Sequence, residues 1–192
     1  MNQSSPKKVA DPALARRFID AYMGFLGTLV SDDEIATQTS TSAWLVIGRQ
    51  RYVQAPETLS AYRARHPDAD GEMLRAIEGL QLQQWVYLKD TSSYSVWLDK
   101  SCEQAYGVLG LTQAVRDLVP GGSGVVVRAG LMSLGGRWVT DGLFDNAVWL
   151  GPGYRRDFTA SYQRLKQAGR FSLGPVLPDQ ASDAAAATAS PA

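Results

Sequence analysis

Cysteine and histidine are almost missing from this chain: Cys102 and His66 are the only ones in 192 residues. A single cysteine excludes a disulfide within the chain, and one of each excludes a zinc site built from several Cys and His ligands. The same scarcity leaves Ser-His-Asp and Cys-His mechanisms one candidate base. That base lies in the polar Ala64-Arg65-His66-Pro67-Asp68 stretch, which reads as a turn. Charge of one sign is missing too, because 19 Lys and Arg face 19 Asp and Glu. No long-range field draws in nucleic acid or an anionic membrane surface, so either would need a local patch. Long apolar runs are also lacking. The longest, around Ala21 to Val30, is too short to span a bilayer. Met1 to Ala10 carries Lys7 and Lys8 without the apolar core of a signal peptide. A cytoplasmic protein is expected, with no membrane contact, no metal and no cofactor.

What is present suffices for a core. Hydrophobic residues make up 45% of the chain and charged residues 20%, which is a globular balance. The length suits one domain. The expected organisation is a disordered N-terminus over 1–10, a single α+β domain over 11–173, and an Ala/Ser/Pro-rich tail over 174–192. That tail lacks large apolar residues to repay its ordering entropy. Within the domain a helical part covers 11–82, a β part 84–150 and a last helix 152–169.

Asp11-Pro12 opens the first helix, an N-cap followed by proline where its missing N–H costs nothing. Leu14, Phe18, Tyr22, Phe25, Leu26 and Leu29 then recur on one stripe. Trp44 to Val53 fits a helix or a short hairpin equally well. Pro56-Glu57 opens a short helix that must end before Pro67, and another starts near Asp70 with Met73, Leu74, Ile77 and Leu80 on its apolar face. After Gln84 the period changes from about 3.6 to 2. Gln84 to Lys89, Tyr94 to Asp99, Gln104 to Leu109, Val125 to Met132 and Arg137 to Asp141 read as five antiparallel strands. A helical crossing over Thr112 to Val119 separates the third from the fourth. The expected fold is therefore helices packed on a five-stranded antiparallel meander or small open barrel, with a helix from Tyr154 to Ala168 at the end.

The blocks Tyr87-Leu88-Lys89, Ala105-Tyr106-Gly107-Val108-Leu109-Gly110-Leu111-Thr112, Asp141-Gly142-Leu143 and Gly151-Pro152-Gly153-Tyr154-Arg155-Arg156 resemble a family of uncharacterised bacterial proteins. The resemblance covers Tyr87 to Phe171 and implies a shared domain with no known activity and no catalytic residues to carry over. It also favours helix over hairpin for Trp44 to Val53. The chain departs from the family pattern at Pro152, where glycine is expected; proline removes one backbone N–H from that loop.

Three features could carry chemistry. Gly151, Gly153, Tyr154, Arg155 and Arg156 place a glycine-rich turn and two permanent charges at a helix start, a surface for an anion or a partner. The spacing fits neither a P-loop nor a dinucleotide fingerprint. Asp141 and Asp145 sit four residues apart across an expected turn, where they could act as an acid–base pair or hold a divalent ion, with Lys89 as a third member of the polar cluster; turn chemistry is their plainer use. Trp85, Tyr87, Tyr94, Trp97, Tyr106 and Trp138 fall on the expected strands, and any that face outward beside Lys89, Lys100, Arg128 or Arg137 could stack bases. Filling the core is the plainer use of these rings. The resulting expectation is a non-enzymatic interaction or regulatory module with a protein partner. A nucleic-acid partner lacks support from the net charge. The alternative is a small enzyme or anion- or nucleotide-binding protein using the Gly151–Arg156 turn with Asp141 and Asp145.

Overall fold

A computed structural model describes residues 8–175. The segments 1–7 and 176–192, which hold most of the expected N-terminal and C-terminal disorder, lie outside the described residues. Over the described residues the fold is α+β, with seven helices and a six-stranded mixed sheet. Four helices form most of the helical part: α1 (Pro12–Gly27), α3 (Thr41–Gln54), α4 (Glu57–Arg65) and α5 (Gly71–Glu78), with a short α2 (Asp32–Thr37) between the first two. Asp11 caps α1 as its sequence indicates, its carboxylate accepting from the N–H groups of Ala13 and Leu14. The ambiguous Trp44 to Val53 segment is helical. Gly48 lets α3 approach α1 closely, since a Cβ there would stand 3.0 Å from Leu26. Phe18, Phe25, Leu26, Met73 and Ile77 are fully buried between these helices. Each contributes about 1.5–3 kcal/mol of transfer free energy.

The β part is β1 (Gln81–Asp90), β2 (Ser95–Asp99), β3 (Ala105–Leu109), β4 (Val125–Leu134) and β5 (Arg137–Trp149), followed after α7 (Pro152–Gln167) by a two-residue β6 (Phe171–Ser172). The short α6 (Val115–Leu118) links β3 to β4. The expectation of five antiparallel strands needs correction. There are six, and β3 runs parallel to both β5 and β6. The meander fails because α6 carries the chain across the barrel, so that β4 returns beside β1 and β5 reaches β3 from its other side. Pairing of β2 with both β1 and β3 closes the circuit β1-β2-β3-β5-β4-β1. Five strands closed in this order, with a helix between the third and fourth, make a Greek-key barrel of the OB type.

Closure explains the aromatic content. Trp85, Tyr87, Trp97, Val108, Val125, Val127 and Leu131 fill the interior, and Val115 and Val119 around α6 plug one end. Trp85 donates its indole N–H to the Ala129 carbonyl at 3.0 Å. The outer faces of β1, β2 and β3 are buried as well: Val86, Leu88, Val96, Leu98 and Ala105 pack under Tyr162 and Leu165 of α7. Burial on both faces is why β2 reads as a continuous apolar run and not as an alternation. Near its start β3 pairs with β6, and further along, at Val108 and Leu109, with β5. The Ala105 N–H donates to the Arg170 carbonyl and the Trp138 N–H to the Leu173 carbonyl, so the last strand fills the seam where β3 and β5 part. At the other end of the described chain, Val9 makes a parallel bridge to Gly110.

Candidate functional site

Asp141 and Asp145 do not flank a turn. Both lie within β5, whose register with β4 shifts between Ala129 and Leu131. The shift leaves main-chain groups without ladder partners, and the Asp141 side chain takes them. Its Oδ1 accepts from the N–H of Gly130 at 3.1 Å and of Leu143 at 3.2 Å. Its Oδ2 accepts from Arg49 Nη1 at 2.8 Å and from the Tyr22 hydroxyl at 3.3 Å. Arg49, on α3, also donates to the Leu143 carbonyl at 2.8 Å and through Nη2 to Asp145 Oδ2 at 3.0 Å. That same oxygen accepts from Arg128 on β4 at 3.1 Å, and Arg128 reaches Gln50 of α3 at 2.6 Å. Arg128 and Asp145 are cross-strand neighbours. Gly130 must be glycine here, because a Cβ would lie 2.5 Å from the Asp141 carboxylate.

The Arg49 and Asp141 side chains are both completely buried. Burial pushes the Asp141 carboxyl above the usual carboxylate range, opposed by the charge and hydrogen bond of Arg49. Burial works against the Arg49 cation too, but Asp141 more than offsets it and holds the guanidinium above its ordinary value. We take the pair as ionised, because every group reaching the Asp141 oxygens is a donor. Burial, then the Asp141 charge, also raises the Tyr22 phenol well above its usual range. Among the described residues two buried atoms of this network, Arg49 Nε and Asp145 Oδ1, have no partner.

This arrangement is a brace. It completes the bulge in β5 and ties α1 and α3 to the barrel, and it leaves the Asp141 side chain no exposed surface. Lys89 is not part of it: its ammonium lies over the Tyr162 ring of α7, 4.9 Å from the centroid. Arg49 and Gln50 escaped sequence reading because nothing in the α3 sequence marks them as inward-facing. A buried arginine on a helix with weak amphipathic patterning has no local signature. No group of three or more His, Cys, Asp or Glu able to hold a metal occurs among the described residues.

The residues Gly151, Gly153, Tyr154, Arg155 and Arg156 form the start of α7, with Gly151 at the N-cap and Pro152 at the first helical position. All are exposed. The Arg155 guanidinium folds back to the Ser123 carbonyl in the loop before β4. Gly124 makes room for it, since a Cβ there would meet the guanidinium and φ is +86°. The Trp149 ring lies across Gly121 of the same loop. Val148, Trp149 and Tyr154 are 58%, 52% and 66% exposed, and they account for three of the five large hydrophobic residues exposed among the described ones. No acidic residue falls in the first turn of α7 and no side chain caps it. The two arginines therefore stand at the positive end of the helix dipole. Arg155 is thus drawn to this corner while Asp141 and Asp145 are held by Arg49, so the three do not line one cavity.

No family model, curated protein or solved structure matches the chain. The barrel topology gives the fold without a function, and the outer face of the second and third strands, which OB-type barrels use for ligands, lies here under α7. No helix among the described residues is long and apolar enough to cross a membrane.

Proposed function

We propose that this chain is a binding module that docks a protein partner at the corner formed by the end of β5 and the first turn of α7. The observation that carries this reading is the exposure of Val148, Trp149 and Tyr154 beside Arg155 and Arg156. Tryptophan, tyrosine and arginine are the side chains that dominate binding energy at protein interfaces. Elsewhere the chain's aromatic rings are largely sunk in its cores, so leaving these out has an energetic cost that a partner would recover. The neighbouring arginines, without an acidic first turn to neutralise them, favour a docking segment that carries an apolar side chain flanked by carboxylates. The polar groups one would ask to do catalysis are instead consumed by the brace around Arg49.

Affinity purification from native extract with the intact chain and with a Trp149→Ala/Tyr154→Ala double variant tests the reading. A discrete protein retained by the first bait and lost from the second, with unchanged thermal unfolding of the variant, is the expected result. Equal recovery on both baits, or no retained protein, overturns it.

A further inference from the structure

Two open cavities meet at the base of the barrel. One, of about 600 Å³, lies between the start of β1, the β2–β3 turn, β3 and the seam strand, and Gln81, Glu103, Gln104, Tyr106, Trp138 and Arg170 line it. The other, of about 650 Å³, continues between α5 and the β4–β5 hairpin, where Arg75 and Ser133 line it; Gln81 and Trp138 belong to both. Together they form one elongated cleft with Trp138 at its middle. The Tyr106 and Trp138 rings stand at 85° with centroids 5.5 Å apart, making an aromatic corner. Trp138 is held in place because its indole N–H donates to the Ser172 hydroxyl at 2.9 Å.

Among the described residues the polar groups around this corner are uncommitted. Gln81, Glu103, Gln104 and Arg170 use no side-chain hydrogen bond within the described residues, whereas Asp99 beneath them is consumed by the N–H groups of Glu103 and Gln104. They are planar amide, carboxylate and guanidinium groups, which offer both donors and acceptors. They do not form the cationic cluster that a phosphate chain would need. An extended peptide would seek unpaired main-chain groups, but β1 is laddered to β4 from Gln81 onward and the Trp138 N–H is already bound by Leu173. What matches rings that are partly exposed beside mixed donors and acceptors is a neutral ligand with apolar C–H faces and many hydroxyls, longer than one unit.

We propose that this cleft binds an uncharged oligosaccharide, with the Tyr106–Trp138 corner against a sugar face and Gln81, Gln104, Glu103 and Arg170 on its hydroxyls. The cleft lies on a different part of the surface from the Val148–Arg156 corner and stands or falls without it.

The test follows the indole N–H resonance of Trp138, assigned by its loss in Trp138→Phe, while the full-length chain is titrated with the hexasaccharides of cellulose, chitin, mannan and amylose. At least one hexamer is expected to shift that resonance, with its monomer at least about tenfold weaker. The exposed-rim variants Glu103→Ala and Arg170→Ala should each weaken binding by about fivefold or more while leaving the rest of the spectrum unchanged. The proposal fails if no hexamer moves the resonance at millimolar concentration. It fails equally if hexamer and monomer bind alike, or if both rim variants bind as the parent does.

Discussion

Replacing Arg49 by methionine would leave Asp141 buried with its Oδ2 facing only the Tyr22 hydroxyl, and would strip the Leu143 carbonyl of its donor. Breaking one partner of a buried ion pair typically costs about 3–5 kcal/mol, and we expect a loss of that size in urea denaturation of Arg49→Met. A cost below about 1 kcal/mol, the range of exposed ion pairs, would show that the brace is not what holds helices to barrel. Gly130→Ala attacks the same point sterically, since its Cβ meets the Asp141 carboxylate. Overpacking of this kind costs about 1–3 kcal/mol. The two substitutions share Asp141, so the double variant should lose less than the sum of the singles when all three are measured side by side.

Elements differ in how openly their sequences announce them. α1 and α5 were legible because a cap residue and a regular apolar stripe coincide, at Asp11 and Asp70. The last helix was legible from Gly151-Pro152. α3 was not, because its buried stripe, Leu45, Gly48, Arg49 and Tyr52, has a glycine and an arginine at its centre and so does not read as an apolar face. The second half of β5 was lost for a different reason. Asp141-Gly142 has the chemistry of a turn, and only the partner strand's register shift makes it a bulge inside a strand of 13 residues. The site suffered accordingly: Asp141 and Asp145 stood out in the sequence, while Arg49 and Gln50, remote along the chain, did not. α2 is held by a capping box in which Ser31 and Glu34 bond reciprocally and Arg51 adds an ion pair. The hydrogen bond from Arg51, then that from the Ser31 N–H, lowers the Glu34 carboxyl from 4.5 to about 2. A lowered acid contributes stability above its unfolded value and loses it as pH falls through the folded one. Protection of the α2 amides from hydrogen exchange should therefore be steady above pH 4.5 and decline between there and about 2. Glu34→Gln should abolish that decline.

At the scale of the molecule, the helical and β parts share one core. Met132, Leu134, Val139 and Leu143 of the barrel strands pack with Phe18, Phe25, Met73 and Ile77 of the helices. We therefore expect a single cooperative unfolding transition, with near- and far-ultraviolet circular dichroism superimposing. A fragment of residues 81–175 would expose the outer apolar face of β4 and β5 and should fail to fold alone; a folded, monomeric fragment would divide the chain into two units. That helices come first and strands later was readable from the change of period, but the first strand opens at Gln81, ahead of the change expected at Gln84. Closure of the barrel was not readable, because a parallel pair such as β3–β5 joins residues about thirty positions apart and leaves no local mark.

The seam has a consequence for how the chain comes off the ribosome. Arg170, Phe171 and Leu173 supply the main-chain bonds that occupy the gap between β3 and β5, so every other strand of the barrel is synthesised before the piece that seals it. Until then Ala105 and Trp138 present open strand edges, the kind of surface that invites pairing with another nascent chain. The barrel thus passes through a window in which its sequence is nearly complete and its edge is not. In that window the edge is open to a chaperone or to a neighbouring nascent copy.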